Sequence, residues 1–251
     1  MESDKLSDIE DEIKVWLAGP EQKEVPSPAL PYPEKLVAFI DILGVTDKVE
    51  KDGNEAAQIV TLMEQIRTYV KTECEPLFLA NRLSFLQIGD GFFIVSDTAC
   101  INDICKILSV VQWQVLVNSH MLLRGVLTAG KVAEGEDVEY FIGPAIIDAL
   151  KLERQNAIFP RIIYETMKIE KYIKKEDVNF KYIIEDQDKI NYLDFLKYNI
   201  DNEKLTAGEL TLLLAEVNKT LRQAYKNKIT EDKRVAQKYG WLISKLAIYS
   251  T

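Results

Sequence analysis

Leu36-Val37-Ala38-Phe39-Ile40-Asp41-Ile42 is apolar at every position but one. A strand with one wet face alternates, whereas a strand covered on both faces reads as a nearly unbroken apolar run. The pattern then changes period. From Glu55 to Glu73, Ala57, Ile59, Val60, Met63, Ile66 and Val70 recur at helical spacing. Two short strands, at 83–88 and 92–95, flank Gly89-Asp90-Gly91, a hairpin signal. A second helix is predicted over 101–119, through Ile104, Ile107, Leu108, Val111, Val115 and Leu116. The strand 122–128 leads into Gly130 and the acidic run Glu134-Gly135-Glu136-Asp137. A helix from Pro144 to Arg154 and a strand at Pro160-Arg161-Ile162-Ile163-Tyr164 close the core.

This order, β-α-β-β-α-β-(β)-α-β, predicts an α+β fold of the ferredoxin-like or palm type, with a mixed, mainly antiparallel sheet. Residues 1–34 flank it as an acidic amphipathic stretch (Leu6, Ile9, Ile13, Trp16, Leu17) running into a connector with Pro20, Pro26, Pro28, Pro31 and Pro33. The core domain is expected over 35–170 and a helical C-terminal extension over 171–251. Within the extension, helices at 208–227 and 231–249 form a hairpin, with Thr230 as N-cap of the second.

Charge narrows the chemistry. The net charge is −9, from 31 Lys and Arg against 40 Asp and Glu. This argues against a general nucleic-acid binder, which needs basic surface to displace counterions. A small nucleotide remains compatible, because a few local cations can meet its charge. Cys74, Cys100 and Cys105 form no CxxC pair and no zinc spacing, so reduced, buried thiols are expected. The single histidine, His120, lies in the apolar run from Val115 to Leu123 and reads as a helix-end residue. No G-x-S-x-G motif accompanies it. No membrane span and no signal peptide are read in the chain, and a cytoplasmic location is expected.

The remaining chemistry rests on carboxylates and cations. Asp41 ends an apolar strand beside Gly44, and Asp90 sits between two glycines in the hairpin loop. A carboxylate at a strand end is costly without water, a hydrogen bond or a metal. On a palm fold the two acids come together, with the Ile42 carbonyl as a further oxygen donor for Mg²⁺ or Mn²⁺. Leu43 and Gly44 then stand where backbone amides would cradle a triphosphate.

Four blocks carry a family resemblance. Phe39-Ile40-Asp41-Ile42-Leu43-Gly44-Val45-Thr46 resembles the F-x-D-I-x-G-F-T segment of class III nucleotidyl cyclases, and Leu86-Gln87-Ile88-Gly89-Asp90 through Ser96 is similar to their second aspartate segment. Arg124 to Gly130 and Tyr140 to Ala145 follow in the same order. The resemblance implies a class III cyclase core, two divalent ions (Mn²⁺ or Mg²⁺) on Asp41, Asp90 and the Ile42 carbonyl, and a homodimer with active sites at its interface.

The departures sharpen it. The purine-selecting position is Leu86 and its companion is Tyr140, while the transition-state asparagine and arginine fall on Ile147 and Lys151. Arg124-Gly125, Gly143-Pro144-Ala145, Phe159-Pro160-Arg161-Ile162 and the tail from Asp232 to Leu242 look like Pycsar-type pyrimidine cyclases of antiphage defence. That resemblance implies a uridylate or cytidylate cyclase acting on UTP or CTP, with a separate effector sensing the product. Phe39 becomes a nucleotide contact. Arg82, Arg124, Lys151, Arg154 and Arg161 become the basic candidates, with Lys151 and Arg161 assigned to catalysis. Two alternatives stay open: a silent cyclase-like nucleotide-binding module, and a GGDEF-like diguanylate cyclase faintly echoed by Ile88-Gly89-Asp90-Gly91-Phe92.

Overall fold

The computed structural model describes residues 32–49, 53–135, 140–202 and 205–249. The expectation for residues 1–31, an acidic helix and proline-rich connector, lies outside them. From Tyr32 onward the chain forms one compact unit.

The strands are β1 (Glu34–Leu43), β2 (Leu83–Ile88), β3 (Gly91–Asp97), β4 (Leu122–Lys131), β5 (Ala133–Glu134), β6 (Phe141–Ile142), β7 (Ile162–Tyr164), β8 (Ile183–Glu185) and β9 (Asn191–Leu193). The α-helices are α1 (Val45–Val49), α2 (Gly53–Glu73), α3 (Glu75–Leu79), α4 (Ile101–Ser119), α5 (Pro144–Asn156), α6 (Thr166–Glu170), α7 (Phe195–Asn202), α8 (Ala207–Glu231) and α9 (Lys233–Tyr249). Seven strands form one sheet in the order β2-β3-β1-β4-β7-β9-β8. The first four, joined through α2 and α4, are the β-α-β-β-α-β unit with the ferredoxin-like strand order and antiparallel pairing throughout. Only β4 and β7 pair in parallel, so the sheet is mixed and mainly antiparallel, as expected.

Strand periodicity sorts the side chains of β1 between the two faces. Leu36, Ala38, Ile40 and Ile42 enter the main core, where Ile59, Leu62, Ile66 and Val70 of α2 and Ile104, Leu108 and Val111 of α4 cover them. Each of these leucines, isoleucines and valines contributes roughly 1.5–3 kcal/mol on burial. Val37 and Phe39 lie on the opposite face, which α5 covers in part through Ala145, Ile146 and Ala149. Both faces are therefore apolar, which explains the unbroken run. Thr98–Ser119 is long and apolar enough to cross a membrane, with mean hydropathy 1.3, but 67% of that stretch is buried in this core. The three cysteines are free and buried, and His120 caps α4 in the left-handed conformation, φ 54°.

Two expectations need correction. The extension beyond residue 170 is not purely helical: β8 and β9 form a hairpin that lengthens the sheet past β7. Each has three residues, too few for a period to show. The break between the last two helices falls at Asp232 rather than Thr230. The Asp232 carboxylate accepts from the Arg234 amide at 2.8 Å and the Val235 amide at 3.4 Å, while Thr230 bonds back to the Asn227 carbonyl inside α8. The two helices pair as the expected hairpin. α9 packs Leu242 and Leu246 into a second apolar cluster with Leu122, Phe195 and Leu214.

Candidate active site

Asp41 stands on the α5 side of β1, one residue from each of the core-facing Ile40 and Ile42. Its ladder partners are Gly91 at the start of β3 and Arg124 on β4. The adjoining β2–β3 hairpin carries Asp90 in its loop after Gly89, whose φ of +60° is the backbone freedom a two-residue hairpin demands at its first position. The bare Gly91 has a second purpose: a Cβ there would lie 2.7 Å from the Phe39 ring, which stacks on Phe93 at 4.7 Å between centroids. The expected convergence of the first strand end and the hairpin is therefore realised in the backbone.

The electrostatics of Asp41 join four charges. Arg124 donates to its Oδ2 from Nε at 3.3 Å and Nη2 at 3.2 Å. The same guanidinium lies 2.7 Å from the carboxylate of Glu153, a buried acid on α5, and its Nη1 donates to the Ala157 carbonyl at 3.3 Å. Burial foremost, and then the charge of Asp90, still raise the Asp41 carboxyl to about 6 against the pull of Arg124. One arginine thus serves two acids, Asp41 and Glu153, while the charge of Asp90 adds to theirs. A small divalent cation fits that excess of carboxylate, since hard cations take carboxylate and carbonyl oxygens and keep several waters. Asp41, Asp90 and the Ile42 carbonyl would hold it. No cluster of three or more metal-ligating side chains occurs among the described residues, so the rest of such a shell would come from substrate and water.

The other sequence-derived residues separate into groups. Leu43 packs partly into the second apolar cluster, so only its backbone is available. Gly44 is exposed at φ +84° with open space about it. Tyr140 is exposed, its ring lying against Gly135. Arg82 pairs with Asp97 at 3.3 Å. Lys151 and Arg154 lie on the exposed side of α5, with no ion-pair partner among the described residues. Leu86 packs partly against the cluster containing Phe93.

Arg161 is not placed as a catalytic cation. It is fully buried, donates to Asp186 at 2.5 Å and pairs with Asp188, and lies over the rings of Phe159, Tyr192 and Trp241. Its run, Phe-Pro-Arg-Ile, is a packing element. Asp186 also accepts from the Trp241 indole at 2.8 Å and Lys245 at 2.7 Å, and so ties α9 to the β8–β9 hairpin.

Sequence reasoning assigned roles to neither Glu153 nor Lys238. Nothing in the spacing of Glu153 shows that its carboxylate reaches Arg124. Lys238 is half-buried on α9. Burial, and next the Arg124 charge, pull its amine below the ordinary lysine range, while Asp232 and Asp41 work the other way.

No protein-family model matches the chain, and no curated protein matches it. Solved structures do. A bacterial light-regulated adenylyl cyclase aligns with TM-score 0.47 and 16% identity over 69% of this chain, which spans 57% of that protein's length. The monomeric guanylyl cyclase domain of the RhoGC fusion protein from Blastocladiella emersonii aligns with TM-score 0.47 and 17% identity, over 64% of this chain and 94% of that one. The adenylyl cyclase CyaB from P. aeruginosa aligns with TM-score 0.43 and 16% identity, over 64% and 92%. The likeness is one of fold, which the strand order establishes independently.

Proposed function

We propose that this chain is a nucleotidyl cyclase that takes a pyrimidine nucleoside triphosphate, UTP or CTP, and forms the 3′,5′-cyclic monophosphate and pyrophosphate. The observation that carries the reading is the half-buried Asp41 at the end of β1, beside the Asp90 hairpin and short of positive charge. In the reaction the 3′-oxygen attacks the α-phosphorus, the bond to the β-phosphate oxygen breaks, and pyrophosphate departs. Asp41 and Asp90 would hold divalent ions, two per site, which when bound would supply charge stabilisation at the α-phosphate and a more acidic 3′-hydroxyl. Arg124 keeps the Asp41 carboxylate oriented, and Glu153 holds Arg124 in turn. The exposed Gly44 leaves the backbone after β1 open to a phosphate, and Phe39 sets the floor beside the hairpin.

The pyrimidine preference rests on the residues around this floor. Leu86 is apolar where the resemblance places a base-reading lysine or glutamate, and Tyr140 offers an aromatic face instead. A homodimer is part of the same reading. Ile147, Leu150 and Ile158 are exposed on and just beyond α5, beside the unpaired Lys151 and Arg154. Such a surface would carry those cations toward a second copy's site, and a product-sensing effector would act downstream.

Incubating the protein with each of the four nucleoside triphosphates and Mn²⁺, followed by mass spectrometry, tests the proposal. A cyclic mononucleotide from UTP or CTP, lost in both Asp41→Ala and Asp90→Ala, is the expected result. Retained turnover in both variants would refute the role of the pair. A cyclic dinucleotide from GTP would replace the reading with a diguanylate cyclase. No product from any nucleotide would favour the silent module, whose motive is the loss of the asparagine and arginine at Ile147 and Lys151.

A further inference from the structure

The buried and half-buried cations differ in what they have left to give. Arg124 is committed to Asp41, Glu153 and the Ala157 carbonyl. Arg82 and Arg161 are held by Asp97 and by Asp186 with Asp188. Lys238 is different: half-buried, it has no hydrogen-bond or ion-pair partner among the described residues.

Its position follows from the packing of α9. Leu242, one turn further along, joins Leu122 and the partly buried Leu43 in one apolar cluster. Leu43 and Leu122 are cross-strand partners, and Asp41 with Arg124 is the next pair on the same face of the sheet. Trp241 stacks on Phe159 at 5.7 Å, two residues beyond the Ala157 carbonyl that receives Arg124. The helix is thus anchored beside the Asp41–Arg124 pair, and Lys238 comes to lie there, with the charges of Arg124 and Asp41 both acting on its amine. Arg234 acts with Arg124 against the charged amine, and Asp232 and Asp41 act for it, but no acid bonds to it; a lysine that gives up water without a bonded acid lacks the compensation buried charges need. An anion bound to the amine would supply it.

We propose that Lys238 binds a phosphate of the substrate's triphosphate group, so that the C-terminal helical hairpin completes the nucleotide site of its own chain. The identity of the anion rests on the cyclase reading; the anion site itself does not. The ligand class is a linear polyphosphate, bound through charge-assisted hydrogen bonds from the lysine amine to phosphate oxygens.

The test uses the full chain and sodium tripolyphosphate as probe, titrated calorimetrically in the presence of a chelator. Lys238→Met keeps the aliphatic stem and removes the charge, Lys238→Arg keeps the charge, and Lys233→Met removes an exposed charge from the same helix. Lys238→Met is expected to weaken tripolyphosphate about ten-fold, the loss of one charge-assisted hydrogen bond. Lys238→Arg should stay within about three-fold and Lys233→Met should match wild type. The Lys238→Met variant should melt no lower than wild type, whereas a lysine with a purely structural role would lower the midpoint. For whichever triphosphate wild type converts, KM should rise more than kcat falls. Undetectable binding by wild type, unchanged binding by Lys238→Met, or equal weakening by Lys233→Met would each overturn the assignment. Lys238-dependent binding without turnover of any nucleotide would end the cyclase reading and leave the anion site standing.

Discussion

Replacing Asp186 by asparagine removes one charge and almost no volume from the cluster that fastens α9 to the sheet. Burial works to raise this carboxyl, but hydrogen bonds from Lys245, the Gln187 amide and the Trp241 indole outweigh it and hold the group at about 2. Against the ordinary 3.8, a depression of this size corresponds to roughly 2.5 kcal/mol at about 1.4 kcal/mol per unit, trimmed to about 1–2 kcal/mol by solvent at the edge of the cluster. The fully buried Arg161 also loses one of its two acids. Breaking a buried pair costs about 3–5 kcal/mol, and the retained Asp188 points to the lower end, about 3 kcal/mol in all. Because the folded pKa is depressed, the stabilisation is complete above the unfolded value and fades as pH falls toward 2. Urea denaturation followed by circular dichroism at pH 7, 5 and 3 reads both quantities. The deficit of Asp186→Asn should be about 3 kcal/mol at pH 7 and pH 5, and about 1 kcal/mol smaller at pH 3. A deficit below about 0.5 kcal/mol at pH 7, within the range of an ordinary surface change, would refute the account.

Other outcomes follow from the same geometry. In chelator, Asp41→Asn should be more stable than wild type by about 1–2 kcal/mol at pH 8, and with Mn²⁺ present it should have lost turnover. Asp41 titrates at about 6 in the folded state, so its penalty is full above that pH and relieved as pH falls toward 4; thermal melts across pH 4–8 should show the gain vanish at the acid end. Gly125→Ala should destabilise the fold by more than about 2 kcal/mol, because its Cβ would collide with the Phe39 carbonyl and lie 2.8 Å from Ile40 Cγ2. Gly208→Ala, with nothing within 4 Å, is the control and should be neutral or stabilising by up to about 1 kcal/mol in the same chemical denaturation.

The legible part of the fold consisted of elements long enough to show a period. The β1 run, the α2 and α4 stripes and the glycine-flanked hairpin set Asp41 at a strand end and Asp90 in the adjoining turn. The short β8 and β9 were not legible, because three residues carry no period and their place beside β7 is set by tertiary contact. Arg161 misled for a related reason. A lone arginine after Pro160 reads as a surface cation until Asp186 and Asp188, remote in sequence, arrive to bury it. Lys238 had the opposite history: in sequence it is an ordinary polar position on an amphipathic helix, and only the anchoring of α9 by Trp241 and Leu242 sets it beside Arg124.

The alternation along β1 has a consequence for insertions and deletions. Asp41 is flanked on both sides by isoleucines whose side chains are buried in the main core. A slip of one residue in the pairing of β1 with β3 and β4 would exchange their faces, sending the carboxylate among α2 and α4 and an isoleucine into the space beside Asp90. Substitutions can erode this site by degrees, but a single-codon insertion or deletion within Lys35–Ile40 would change its parity. Length variation should therefore be excluded from this strand even where individual apolar side chains are interchangeable.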